Sequence, residues 1–235
     1  MVHESSGVVR LHEGRILAKI AEISRFRRRI INTNPRRKDP QFPALVLAAG
    51  KASRMGRPKQ ALQLPGGATM LSHAIGQARQ LSAQTLVVAG AGYPLVRFRC
   101  RRVPAVWINN RRWAEGLSSS LISGLQYLPA EALGVFVLLA DQPLLAREGL
   151  GTLSASARRR PDVAWAARYG NRVGVPAWIP KALWQDLRAL EGDVGAGRVL
   201  NLVGANPVDI AGVQQDVDTP QDWLKVRRQL TEQAG

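Results

Sequence analysis

The feature that most constrains this chain is the apolar run Ala44-Leu45-Val46-Leu47-Ala48-Ala49, which stops at Gly50 and opens into Lys51-Ala52-Ser53-Arg54-Met55-Gly56-Arg57-Pro58-Lys59. Six apolar residues without polar alternation describe a strand buried on both faces, which belongs in the middle of a parallel sheet. Sheets of that kind place ligands outside the carboxyl ends of their strands. The small residues Ala52, Ser53 and Gly56 let backbone N–H groups come close to a phosphate, and Arg54 and Lys59 supply charge to hold it. Neither common phosphate loop is present: the spacing from Gly50 to Lys59 does not fit GxxxxGK[ST], and Ala52 breaks GxGxxG. On local chemistry alone the segment is either a polyanion loop or a strand-to-helix turn with a solvated Arg and Lys.

The rest of the chain alternates in the manner of an α/β fold. Strands are expected at 44–49, 85–89, 104–108, 134–140 and 162–167, with helices near 69–82, 117–127, 145–157, 180–190 and 219–230. Apolar strands separated by helices imply a Rossmann-like domain with a mostly parallel sheet flanked by helices. The chain divides near Gln41, because Asn32 to Pro43 contains three prolines. Residues 1–42 are expected to form a basic extension, partly helical, with a helix-like pattern over 11–30, or disordered, and residues 43–235 the domain.

Two further segments carry chemistry. Val135 to Ala140 ends in Asp141-Gln142-Pro143, so a carboxylate emerges at the sheet rim. Beside an anionic nucleotide it requires a cation, for which Mg²⁺ is suited; the alternative is an Asx-turn or a cap for the helix expected near Leu144. Asp216-Val217-Asp218-Thr219-Pro220-Gln221-Asp222 specifies a helix start, with Thr219 as cap, Pro220 at the first helical position and Asp222 in the first turn. That placement leaves Asp218 just ahead of the cap. Cys100 between arginines and His73 in an expected helix lack partners, and both read as structural residues.

The segment 47–59 resembles the signature LAAGxSxRMGxxK of the MobA-like nucleotidyltransferases, in particular the molybdenum cofactor guanylyl- and cytidylyltransferases; Ala52 replaces their usual Ser. Asp141-Gln142-Pro143 is similar to that family's metal motif. Asn109 to Leu121 resembles its N..W..G..SSL, Gly174-Val175-Pro176 its GxP, Gly192 to Ala196 its GDxGA, and 216–222 its terminal D-x-DTP-x-D. The similarity runs from about 43 to 225. Val175 and Gly197 depart from the His and Arg that relatives often carry, both on the acceptor side.

The resemblance implies transfer of NMP from an NTP, CTP favoured, to a phosphate-bearing acceptor, molybdopterin above all, with Mg²⁺ as cofactor. It implies catalytic roles for Arg54, Lys59 and Asp141 and metal ligation by Asp141 and Asp218. Nucleotide contacts fall on Leu47, Ala48, Ala49, Gly50, Lys51, Gly56, Lys59, Gly116, Ser118, Ser119 and Ser120. The acceptor side falls on Gly174, Pro176 and Asp193. The serines could equally cap the helix that follows them. Partners implied are the two substrates and a transient contact with a molybdenum hydroxylase or its chaperone. A sugar- or alditol-phosphate acceptor is the second enzymatic reading, and a non-catalytic nucleotide- or nucleic-acid-binding protein the reading from another class.

A net charge of +16 invites the nucleic-acid reading. The excess is dispersed, however: the runs at 25–29 and 36–38 form a basic arm that reads either as a poorly ordered tail or as a polyanion-binding arm, and those at 97–102 and 158–160 read as solvated surface without the aromatic pattern of a nucleic-acid track. Nucleic acid is therefore not an expected partner. The apolar runs fall far short of the ~20 residues of a membrane helix. With a lone cysteine and no signal-type N-terminus, the expected setting is the cytoplasm.

Overall fold

The computed structural model describes residues 39–100 and 105–232. The expected extension through Lys38, with its helix-like stretch and arginine runs, lies outside the described residues, as do Arg101 and Arg102. The five expected strands form at Ala44–Ala48 (β1), Thr85–Ala89 (β2), Val106–Asn109 (β3), Gly134–Leu139 (β4) and Trp165–Tyr169 (β5), joined by Arg172–Pro180 (β6) and Asn206–Val208 (β7). They make one sheet in the order β3-β2-β1-β4-β6-β5-β7. β1 pairs parallel with β2 and β4, β2 with β3, and β5 with β7, whereas β6 runs antiparallel to both β4 and β5.

The reversed strand β6 was not expected, because Gly174, Pro176 and Pro180 punctuate it. The sheet accommodates Pro176 at an irregularity: Ala166 pairs with Ala177 and Ala167 with Gly174, so Val175 and Pro176 stand opposite a break in the ladder. A residue without an N–H is tolerated there. The short β7 also escaped the sequence pattern.

Helices follow at Met70–Leu81 (α1), Leu95–Arg99 (α2), Leu117–Leu125 (α3), Arg147–Arg159 (α4), Trp184–Arg188 (α5), Gly197–Leu202 (α6) and Pro220–Glu232 (α7). The helix expected over 180–190 is instead a 3-10 turn, Lys181–Leu183, followed by α5. Because successive residues of β1 point to opposite faces, Ala44, Val46 and Ala48 pack with Ile75, Leu138, Leu150 and Leu153 under α1 and α4. Leu45 and Leu47 pack with Leu121, Leu187 and Leu200 under α3, α5 and α6. No described helix is long and apolar enough to cross a membrane.

Trp178 is fully buried, 5.0 Å from the ring of Phe42 and 4.8 Å from that of Phe136. Arg158 secures the approach to β1: it donates to Asp39 at 2.6 Å and to the Leu81 carbonyl at 2.9 Å, and its guanidinium lies 4.5 Å from the Phe42 ring centre. The expectation that Arg158 is solvated surface is thus corrected. Cys100 is buried 3.3 Å from the Thr69 hydroxyl, as a structural thiol.

Phe42→Ala is expected to lower stability by about 3 kcal/mol in urea unfolding, through the cavity left against Trp178. A chain starting at Asp39 should unfold at the same urea concentration as the full chain.

Candidate active site

The strand order indicates where a site belongs. After β1 the chain moves outward to β2 and β3, then crosses back to β4 on the other side of β1, so the loops leaving β1 and β4 stand side by side outside the carboxyl ends of the strands, where such folds have their ligand crevice. Gly50 leaves β1 and Asp141 leaves β4 at this crevice.

The loop after β1 is held from within by a residue the sequence did not single out. Gln60, only 2% exposed, donates from Nε2 to the carbonyls of Ala48 at 3.0 Å and Gly50 at 2.8 Å, fixing the loop's departure. Ala52 adopts the left-handed conformation with φ 54°, which costs an L-residue about 1–2 kcal/mol. The turn brings Arg54, at 71% side-chain exposure, to the rim and buries Met55 beneath it. Leu47, Ala48 and Ala49 are buried, while Gly50, Lys51 and Gly56 are exposed along the crevice.

Lys59 closes the loop. Its ammonium donates to Asp141 Oδ2 at 2.6 Å and to Asp218 Oδ1 at 2.8 Å, and Arg54 Nη2 donates to the other oxygen of Asp218 at 3.1 Å. Four residues from three distant segments therefore meet. Asp141 caps no helix, because α4 starts only at Arg147, after Ala146. Thr219 and Asp222 satisfy each other reciprocally: the Asp222 N–H donates to Thr219 Oγ1 at 3.2 Å and the Thr219 N–H to Asp222 Oδ2 at 2.9 Å. Asp218 is consequently left to face Lys59.

The serines are placed differently. Ser118 donates to the Gly192 carbonyl at 2.8 Å, and Asn110 Nδ2 donates to Ser119 at 2.9 Å and to Ser120 at 3.1 Å. All three are buried: the Ser118 hydroxyl ties the start of α3 to the 192–196 turn, and those of Ser119 and Ser120 tie it to Asn110. Gly116 is required at that contact: its φ is 104°, and a Cβ there would stand 2.3 Å from the Gly192 carbonyl carbon. Asp193, exposed on the same turn, is thereby brought beside α3. Gly174 and Pro176 lie on β6, away from the Lys59 cluster in sequence but on a strand paired directly to β4 and β5.

The model of the MobA-like NTP transferase domain matches residues 44–209. The chain belongs to this family. It is 30% identical over 218 residues to the purine catabolism protein PucB of Bacillus subtilis, covering 83% of this chain and all of that one. It is 29% identical over 194 residues to a molybdenum cofactor guanylyltransferase of Rhodopseudomonas palustris, covering 78% and 89%. Among solved structures, a Mycobacterium sp. strain JC1 homologue of Rv0371c superposes with TM-score 0.69 at 28% identity, covering 82% of this chain and 98% of that one. The MobA-like chain is thus a nucleotidyltransferase of that family, and its mostly parallel fold is the family's.

The charges of this MobA-like site are tightly coupled. Burial alone would lower the Lys59 pKa, but Asp141 and Asp218 outweigh it and raise it above the ordinary 10.5. The Lys59 hydrogen bond holds Asp218 below the ordinary carboxylate value of 3.8. Asp216 moves the other way, through partial desolvation and the nearby Asp141 charge. For a carboxyl whose folded pKa is depressed, the stabilising contribution is present above its unfolded value and lost as pH falls through the folded one. For a lysine whose folded pKa is raised, it is present below 10.5 and lost as pH rises through the folded value. Asp218→Asn should therefore flatten the fall of the urea midpoint below about pH 4. An equally steep acid limb in the variant would remove the Lys59–Asp218 pair from the stability balance.

Proposed function

We propose that this chain is a divalent-metal-dependent enzyme that moves the NMP of an NTP, CTP in preference to GTP, onto the terminal phosphate of molybdopterin. The observation that carries this reading is the Lys59 ammonium held between Asp141 and Asp218 at the β1/β4 crevice. An acceptor phosphate oxygen attacks the α-phosphorus, the bond to the bridging oxygen of the β-phosphate breaks, and pyrophosphate leaves. Such a reaction needs positioning and charge more than covalent participation by the protein. Lys59 has three N–H groups and uses two on carboxylates, leaving one for a phosphate oxygen. The exposed guanidinium of Arg54 faces the same rim. Backbone from Leu47 to Gly50, with Lys51 and Gly56, lines the nucleotide path beside the start of α3.

The donor set suits a hard cation. Asp141 Oδ1 is buried with no hydrogen-bond partner, a position that favours a metal ion. Among the described residues no three His, Cys, Asp or Glu cluster as ligands. Asp141 and Asp218 would hold the ion, as two carboxylates do for Mg²⁺, which takes its other ligands from water and phosphate. The ion would polarise the phosphoryl oxygens and neutralise charge on the leaving pyrophosphate. A related structure, Rv0371c of Mycobacterium tuberculosis at 26% identity, is a complex with manganese.

The preference for CTP rests on the resemblance of the sequence to the cytidylyltransferases of the family. The curated relatives named guanylyltransferases make GTP the competing donor. Gly174, Pro176 and Asp193 form the acceptor side, and a hand-over contact with a molybdenum hydroxylase or its chaperone would follow from the product.

Pyrophosphate release should be measured with each of the four NTPs against molybdopterin and against sugar and alditol phosphates. Molybdopterin with CTP is expected to give the highest kcat/KM; a faster reaction with a sugar phosphate overturns the acceptor, and one with GTP the base. Asp141→Asn should nearly abolish turnover while leaving thermal unfolding in place, since an amide is a poor ligand for Mg²⁺. Lys59→Ala and Arg54→Ala should each slow transfer by about 3 kcal/mol, on the scale of a lost transition-state electrostatic contact. Unchanged single-turnover rates for both would reduce the loop to a turn.

A further inference from the structure

Immediately after Asp141, and resting on the transfer reaction proposed above, lies a buried polar chain that the reaction does not use. Gln142 is 1% exposed, and its Nε2 donates to the Tyr169 hydroxyl at 2.7 Å and to the Val213 carbonyl at 3.0 Å. The Tyr169 hydroxyl donates in turn to the Val175 carbonyl at 2.5 Å. The direction of this chain is fixed. A carbonyl only accepts, so the Val213 contact assigns the Gln142 amide, and Tyr169, having accepted from Gln142, sends its own proton to Val175.

We infer that Gln142 and Tyr169 are positioning residues that fix the acceptor ledge, Gly174 to Pro176, relative to Asp141 and to the segment leading into Asp218. Four pieces of chain meet at the two side chains: the end of β4, β5, the start of β6, and the 209–217 segment. Where β6 carries Val175 and Pro176 it has left its register with β4, whose pairing reaches only Ala177, and it stands opposite the break in the β5 ladder. The ladder alone therefore does not fix the ledge, and the Tyr169 hydroxyl supplies the missing tie. The ring helps from the other side. A Cβ on Gly174 would meet Tyr169 Cε2 at 3.0 Å, so the absence of a side chain lets the ring lie along the ledge backbone.

The anchor also reaches the metal side. The Val217 N–H donates to the Asp141 carbonyl at 2.9 Å, so the strand of chain carrying Val213, Val217 and Asp218 is tied at two points to the Asp141-Gln142 pair. The amide and the phenol thus set the separation between the group that receives the nucleotidyl unit and the groups that hold the triphosphate. Burial pushes the Tyr169 phenol up to about 12, which keeps it a proton donor across the working pH range. Misplacement of an acceptor by about 1 Å slows transfer by up to about a hundredfold without weakening donor binding.

The test uses two variants in the full chain, Tyr169→Phe, which keeps the ring, and Gln142→Met, which keeps the volume. Each is expected to raise the KM for molybdopterin or lower kcat by about tenfold or more, and to divert NTP toward hydrolysis, with the KM for NTP unchanged. Amide hydrogen exchange should quicken over 172–177 in both variants while 44–62 exchanges as in the wild type. Unchanged exchange over 172–177, or equal losses in NTP and acceptor kinetics, overturns the inference. If wild-type protein transfers nothing to molybdopterin, the proposed acceptor fails, and the exchange measurement still decides the role of the two residues.

Discussion

Everything around the crevice depends on one shared cation. Asp141 arrives from the sheet, Asp218 from the approach to the last helix, and the two carboxylates repel each other unless a positive charge stands between them. Lys59 supplies that charge from a third segment, with 13% of its side chain exposed, so the pairing is screened from water far more than an ordinary surface ion pair. An ammonium held by two carboxylates is geometrically fixed and still has a donor to spend. The same arrangement that settles the folded site also leaves it ready for an anion.

Beneath the cation, a small apolar cluster does the mechanical work. Met55, Leu62 and Leu64 from the loop region pack with Met70 of α1 and with Val217, Trp223 and Val226 around the start of α7. Loop and helix are therefore one packed unit. Asp218 and Lys59 sit on its two halves, which explains how residues so far apart in sequence keep hydrogen-bond distance. Arg54 directly precedes Met55, so burying that side chain turns Arg54 out to the rim.

The parts of this site that could be read in the sequence are those whose chemistry is local. A buried strand ending in Gly50, a carboxylate directly after the apolar run to Ala140, and a Thr-Pro helix start behind Asp218 each announce themselves within a few residues. The meeting of these three segments was legible only through the resemblance to a family, since nothing in spacing alone tells that Lys59 will reach Asp218. Gln60, Gln142 and Tyr169 were not legible, because their roles rest on carbonyls and hydroxyls contributed by other elements. The hydrogen-bond partners of the serines at 118–120 were not legible for the same reason: Asn110 and Gly192 lie outside the helix the serines begin. β6 was hidden by its prolines, of which the sheet takes Pro176 where its ladder breaks and Pro180 at the last position of the strand.

The reversal of β6 has a further consequence for how such a protein can diversify. Its parallel neighbours deliver their carboxyl ends to the crevice, so the antiparallel strand must begin at that same edge, and the turn at Gly170 and Asn171 that joins β5 to β6 lies at this edge in the sheet's far half. A hairpin tip accepts inserted residues without disturbing the strands beneath it. Lengthening or reshaping this tip would leave the packing of the β1 loop untouched. The architecture thus sets, at one edge of the sheet, a loop locked into the core beside a turn that is free to vary.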